Sequence, residues 1–167
     1  MICPDDNKTE VQVEIDLKNV NVQMTEDHTN VVQLLWENPI IKKTFRMKKN
    51  GKGVIVNIGS FAWMRNIGGM ICYTTAKSAI SGLTRSLARE LGSYNIRVNC
   101  VVPGWIMTER QKKLWLTPEI EKNTLDRQCI KRLLHPNDIS KTVLFFASDQ
   151  SSGISAQNYV VDGGIAV

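Results

Sequence analysis

Two short apolar runs flanking one long amphipathic segment constrain the fold of this chain more than any other feature. Gly53-Val-Ile-Val-Asn-Ile58 and Ile96-Arg-Val-Asn-Cys-Val-Val102 are rich in β-branched residues and close to continuously apolar. Such runs suit a parallel sheet covered on both faces. Between them, Tyr73, Ala76, Ile80, Leu83, Leu87 and Leu91 recur at intervals of three and four. That is the period of a helix with one apolar face, and it predicts a helix over Cys72–Leu91. Strand, helix and strand in this order imply a right-handed crossover and parallel pairing.

The rest of the chain after Gly51 continues the alternation. Pro103-Gly104 ends the second strand. Residues Thr108 to Gln128 are polar and predict helix in pieces, with Thr117-Pro118-Glu119 as a helix start. Pro136-Asn-Asp-Ile139 opens a helix through Ala147, and Asn158–Val161 is a last strand closed by Asp162-Gly163-Gly164. These elements predict an α/β fold, a parallel sheet with helices on both faces.

Before Lys49 the pattern is irregular, so residues 1–50 read as an N-terminal segment and 51–167 as the regular region, together one domain. Val11, Val13, Ile15 and Leu17 alternate with Gln12, Glu14 and Asp16, which predicts a half-buried strand. Thr25 to Lys49 reads as helix, with Val31, Leu34, Leu35, Ile41 and Phe45 available for one face. Pro39 lies inside it and predicts a kink or break, because an interior proline removes a hydrogen bond.

Composition excludes several classes. No apolar run approaches the roughly 20 residues of a membrane span. Met1–Glu10 lacks the basic flank and apolar stretch of a secretory signal, so a cytoplasmic protein is expected. Cys3, Cys72, Cys100 and Cys129 form no C-x-x-C pair, and His28 and His135 have no His partner one turn away. No disulfide or metal site is therefore expected. The net charge of +5 is concentrated in Lys42, Lys43, Arg46, Lys48, Lys49 and Lys52. With a single aromatic residue, Phe45, inside it, this run reads as a solvated helix end rather than a nucleic-acid surface.

Tyr73 and Lys77 leave one helix face a turn apart. Ser60 follows a buried strand, at the end where open α/β sheets bind ligands. Moving hydride from a carbinol carbon also requires moving the proton on its oxygen. A free tyrosine titrates near 10, too high for an efficient base at neutral pH, and a neighbouring ammonium stabilises the phenolate. Lowering such a pKa by about three units takes about 4 kcal/mol. A serine hydroxyl orients the substrate oxygen. On spacing alone a plain alternative stands beside this one: Tyr73 caps the core, Lys77 is solvated and Ser60 begins a turn. Ala79, Gly82 and Ser86 form a stripe of small residues, suited either to a subunit contact or to tight packing within the monomer.

Several motifs occur together in one order: Val54-Ile-Val-Asn-Ile-Gly-Ser60, Tyr73-Thr-Thr-Ala-Lys77, Leu83-Thr-Arg-Ser-Leu-Ala-Arg-Glu-Leu91, Asn95-Ile-Arg-Val-Asn99, Pro103-Gly104 with Thr108, Pro136-Asn-Asp-Ile139, Phe146-Ala-Ser-Asp149 and Val161-Asp-Gly-Gly164. In these motifs the region from Gly51 to Val167 resembles the short-chain dehydrogenase/reductase family. The resemblance implies catalytic Ser60, Tyr73 and Lys77, with Tyr73 and Lys77 also touching an NAD or NADP cofactor. It implies that Pro103, Gly104, Ile106 and Thr108 pack on the nicotinamide. Asp16-Leu17 resembles the pair lining the adenine pocket. A small alcohol or sugar substrate and a homo-oligomer are implied as partners.

A finer resemblance joins Ser60-Phe-Ala-Trp-Met64, Gly68-Gly-Met70 and Trp105-Ile-Met-Thr-Glu-Arg-Gln111 to bacterial aldose 1-dehydrogenases. Trp63, Trp105 and Trp115 then suit either sugar stacking or ordinary packing.

The sequence also departs from that family. The T-G-x-x-x-G-x-G turn that meets the pyrophosphate does not occur in it, nor does an Asn-Asn-Ala-Gly strand end. The family interval back from Ser60 lands on Val32, not Asn30, so no fourth catalytic residue is assigned. The implied fold is a partial Rossmann-like sheet missing the first βαβ unit. The strand beginning at Gly53 then needs a substitute neighbour, from Val11–Leu17 or Val20–Met24. The alternative to an active oxidoreductase is a truncated, catalytically inactive family member acting at most as an oligomerisation or interaction module.

Overall fold

The computed structural model describes residues 39–66 and 68–165. Three parallel strands, β1 (Gly53–Ile58), β2 (Ile96–Pro103) and β3 (Asn158–Val161), lie in the order β1-β2-β3. Gly53 pairs with Ile96 and Ile58 with Val101, while Cys100 pairs with Asn158 and Pro103 with Val161. All three carboxyl ends therefore lie at one end of the sheet.

Helices cover both faces. Helix α1 (Pro39–Asn50) precedes β1, and α2 (Ile71–Leu91) is the crossover from β1 to β2. Ile96, Val98, Cys100 and Val102 are fully buried on one face of β2. The first pair packs with Leu87, Ala88 and Leu91 of α2, the second with Phe61 and Ile80. Each such large aliphatic side chain contributes about 1.5–3 kcal/mol on burial. The intervening residues point the other way. There α5 (Pro136–Ala147) packs on β1 and β2, and the Arg97 guanidinium donates to the Ser148 carbonyl at its end.

Between β2 and α5 lie α3 (Glu109–Trp115) and α4 (Pro118–Arg127). Each starts at a threonine: Thr108 Oγ1 accepts from Gln111 N and Thr117 Oγ1 from Ile120 N, both at 3.2 Å. The Thr117-Pro118 start read from the sequence is thus the observed one, a side-chain cap followed by proline at a position that needs no N–H. The three strands predicted after Gly51, the break between two short polar helices and the Pro136 start lie where expected; α2 begins one residue earlier, at Ile71.

One reading is corrected. Phe45 was counted toward an apolar face, yet it is half exposed, and Met47 packs against the core instead. Met47 fits because Gly53 has no side chain: a Cβ there would lie 2.6 Å from the Met47 sulfur. The strand at Val11–Leu17, Asp16, the substitute neighbour of β1 and the helix before Pro39 lie outside the described residues, so the expected kink is not addressed. Among the described residues, no helix is long and apolar enough to cross a membrane, and no group of acidic, His and Cys side chains could hold a metal.

Candidate active site

The carboxyl end of β1 delivers Ser60. The strand stops at Ile58, Gly59 N donates to the Val101 carbonyl at 2.8 Å, and Ser60 caps a 3-10 turn over Phe61–Met64. Ser60 is buried, and its Oγ accepts from Ala62 N at 3.2 Å. Its own O–H proton remains available to donate. The plain reading, that Ser60 begins a turn, is accurate and leaves the hydroxyl proton unused.

Helix α2 presents Tyr73 and Lys77 toward the same strand end. The Lys77 Nζ donates to the Ile58 carbonyl at 3.1 Å, two residues before Ser60. It lies 5.9 Å from the centroid of the Tyr73 ring. An ammonium has three protons, so one bond to Ile58 leaves donors for a ligand. Burial pushes the Lys77 pKa below its ordinary value, against a smaller opposing pull from Cys100. Tyr73 is 42% exposed, which rules out a core-capping role for it. Lys77 is partly buried and tethered rather than free in solvent.

Polar contacts tie the strand to the helix beneath these residues. Asn57 Nδ2 donates to Thr84 Oγ1 at 2.9 Å, and Thr84 donates onward to the Ile80 carbonyl. Cys100 lies fully buried beside them, and burial pushes its thiol pKa up, so it stays neutral. A Cβ on Gly59 would lie 3.0 Å from the Cys100 sulfur, so the chain turning into Ser60 crosses close over β2.

The loop after β2 holds Pro103, Gly104, Ile106 and Thr108. Gly104 N donates to the Val161 carbonyl at 2.9 Å, and a Cβ on Gly104 would lie 2.6 Å from Asp162 Cα. Only glycine permits that approach. Ile106 bridges to Leu134, with Met107 N donating to the Leu134 carbonyl at 2.8 Å. Met107 is buried and anchors the loop. Thr108 Oγ1 accepts as a helix cap, so its O–H proton is also still available. Ser60, Tyr73, Lys77 and the 103–108 loop thus gather at one end of the sheet; Asp16 lies outside the described residues.

Among the tryptophans, Trp63 and Trp115 lie on the surface, and Trp105 is partly buried with Nε1 donating to Gln111 Oε1 at 2.6 Å. A cavity of about 400 Å³ opens beside Trp105, with Arg65 and Arg127 in its wall. No sequence pattern points to it. The two arginines belong to distant segments, and no local pattern pairs them.

The order β1-α2-β2, with Ser60 and the Tyr73/Lys77 pair at the strand ends, defines a nucleotide-type α/β fold with a polar site at its carboxyl edge. Residues 38–166 match the family described as Enoyl-(Acyl carrier protein) reductase, and the chain belongs to the short-chain dehydrogenase/reductase family. Its relatives include the probable galactose dehydrogenase of Rhizobium meliloti, 48% identical over 71% of this chain and 46% of that protein. The D-xylose 1-dehydrogenase of Caulobacter vibrioides is 46% identical over 71% of this chain and 47% of that protein. A solved 7α-hydroxysteroid dehydrogenase complexed with NADH and 7-oxo glycochenodeoxycholic acid is similar at a TM-score of 0.69 and 42% identity. That match covers 72% of this chain and 47% of the solved one. The chain spans about half the length of the curated relatives it matches.

Proposed function

We propose that this chain carries the proton-transfer and nicotinamide-facing half of an NAD(P)-dependent oxidoreductase acting on a sugar or alcohol hydroxyl. The observation that carries the reading is the Lys77 ammonium, tethered at 3.1 Å to the strand end beside Ser60 and one turn from an exposed Tyr73.

Bound nicotinamide dinucleotide would supply the hydride acceptor. The residues of this chain supply the rest. Ser60 donates its free proton to the substrate oxygen and fixes its orientation. The Tyr73 oxygen takes the proton of the substrate hydroxyl as the phenolate in oxidation and returns it as the phenol in reduction. The Lys77 ammonium, 5.9 Å from the centroid of the Tyr73 ring, stabilises negative charge developing on the Tyr73 oxygen. Its remaining donors suit the ribose hydroxyls. The Thr108 hydroxyl and the backbone at Ile106 suit the carboxamide, on a loop held close by Gly104.

The similarity to galactose and xylose dehydrogenases supports an aldose as substrate. The exposed stripe of Ala79, Gly82 and Ser86, with open space beside Gly82, supports packing of a second copy. The thiols of Cys100 and Cys129, outside any disulfide, fit a reducing cytoplasm. The test is NAD(P)⁺ reduction with galactose and xylose by the chain and by Tyr73→Phe. Turnover lost in the variant is expected; equal turnover in both contradicts the reading.

A further inference from the structure

We propose that the cavity beside Trp105 binds an anionic group, carboxylate or phosphate, of a polyhydroxylated ligand. The proposal rests on the reading that this end of the sheet is the substrate end, and it narrows the substrate class: a sugar that carries a carboxylate or phosphate besides the hydroxyl that reacts.

The cavity lies where a substrate would extend. Trp105 follows the end of β2, Ile165 follows β3, and Arg65 comes five positions after Ser60 at the end of β1. Parallel strands put all three at one edge of the sheet, where ligands of open α/β sheets bind. Helix α4 closes the other side with Glu119, Ile120 and Arg127. Its volume of about 400 Å³ falls in the range of small-molecule sites.

Two guanidiniums share this space with one carboxylate, a formal balance of +1. Arg65 Nε is buried and has no hydrogen-bond partner. A buried donor without a partner is unfavourable, so a ligand oxygen that satisfied it would be favoured. The only described contact of the Arg65 guanidinium is with the Phe61 ring, 5.1 Å away. Burial and the nearby charge of Arg127 both push its pKa down, with Asp162 opposing. The Arg127 side chain makes no hydrogen bond or ion pair among the described residues, and Glu119 is not within ion-pair distance of either arginine. Arg65 and Arg127 act on each other as like charges, Asp162 offsets part of that on Arg65, and neither guanidinium is in an ion pair among the described residues. Planar guanidinium forks match carboxylate and phosphate oxygens in pairs. The Trp105 ring, held by its bond to Gln111, offers an apolar wall for the carbon face of a sugar.

The experiment is isothermal titration of galactonate, galactose 6-phosphate and galactose into the chain, without dinucleotide. Galactonate, galactose 6-phosphate or both should bind at least tenfold more tightly than galactose, with affinity falling as salt rises. Galactonate alone assigns a sugar acid, and galactose 6-phosphate alone a sugar phosphate. Arg65→Gln and Arg127→Gln should each weaken the anion at least tenfold. Glu119→Gln should bind it at least as tightly as the unaltered chain. Thermal melting checks that each variant is folded, and Arg127, on the surface of α4, is the variant least exposed to misfolding. Equal affinity for galactose, no anion binding, retained affinity in Arg127→Gln, or weaker binding in Glu119→Gln would each overturn the proposal. No turnover is read, so an inactive chain that still binds anions through Arg127 would sink the oxidoreductase reading and leave this one standing.

Discussion

The two ends of the parallel sheet treat polar groups in opposite ways. At the amino end the Arg97 guanidinium donates to Ser151 Oγ at 2.9 Å and to the Ser148 carbonyl at 3.0 Å. Asn99, with no exposed surface, donates to the Ile154 carbonyl at 2.9 Å and accepts from Gln157 N at 3.1 Å. Together they clamp the segment from Ser148 to Gln157, which includes Ala156 at a left-handed φ of 64°. A non-glycine residue holds that conformation only when its surroundings over-determine it, and Ala156 N donates to the Val98 carbonyl at 2.7 Å. At the carboxyl end, by contrast, the Ser60 and Thr108 protons, most of Lys77's donors and Arg65 Nε are left unspent. At the amino end Arg97 and Asn99 spend their donors within the chain and stabilise the fold, with Asn158 Oδ1 at the start of β3 a buried acceptor left over. The other keeps donors for a ligand.

That contrast breaks if substitutions at the two ends have the same consequences. The largest effect expected is on turnover. Tyr73→Phe should lower the rate of NAD(P)-linked oxidation by about 10²–10⁴-fold, while shifting stability by less than about 0.5 kcal/mol, because the side chain is exposed. Steady-state kinetics and urea unfolding on one preparation check both halves.

Asn99→Ala should do the reverse. It strands the part-buried Gln157 N–H and Ile154 carbonyl, at about 1–3 kcal/mol for the pair, so urea unfolding should lose about 2 kcal/mol. Ser60→Ala sharpens the comparison from the other side. Losing its contact to Ala62 N should cost about 0.5–1 kcal/mol of stability, against about a hundredfold in turnover.

Smallest is Asp138, away from both ends. Its carboxylate accepts from both Arg132 nitrogens, at 2.8 and 2.7 Å, and from His135 N at 2.9 Å, holding its pKa well below the ordinary carboxylate value. The sign follows from the unfolded chain binding more protons there. The stability is fully present above the unfolded pKa near 4 and is lost as pH falls below it. Asp138→Asn should cost about 1 kcal/mol at neutral pH, discounted for exposure, and flatten the loss of stability on acidification.

The sequence resolved what chain-local chemistry decides. Strand ends follow Pro103-Gly104, helix starts follow Thr117-Pro118 and Pro136, and the three-and-four spacing of Ile80, Leu83, Leu87 and Leu91 sets the buried face of α2. Ser60 and the Tyr73/Lys77 pair were legible because one turn of helix fixes the latter and a strand end fixes the former. Tyr73 shared the apolar spacing of α2, and only its exposure separates it from the core. The clamp around Asn99 and the pairing of Arg65 with Arg127 were not legible. Each joins side chains through the packed fold, and no spacing along the chain encodes them. Phe45 was misjudged because helical period alone does not say which of two apolar stripes meets the sheet.

The central claim is that the carboxyl end of the sheet receives a nicotinamide dinucleotide through Lys77 and the 103–108 loop. Calorimetric titration of NADH and NADPH into the chain and into Lys77→Met tests it most directly. The account predicts binding of at least one dinucleotide by millimolar concentration, weakened about tenfold or more in Lys77→Met. Absence of binding at millimolar dinucleotide, or equal affinity in the variant, would contradict it.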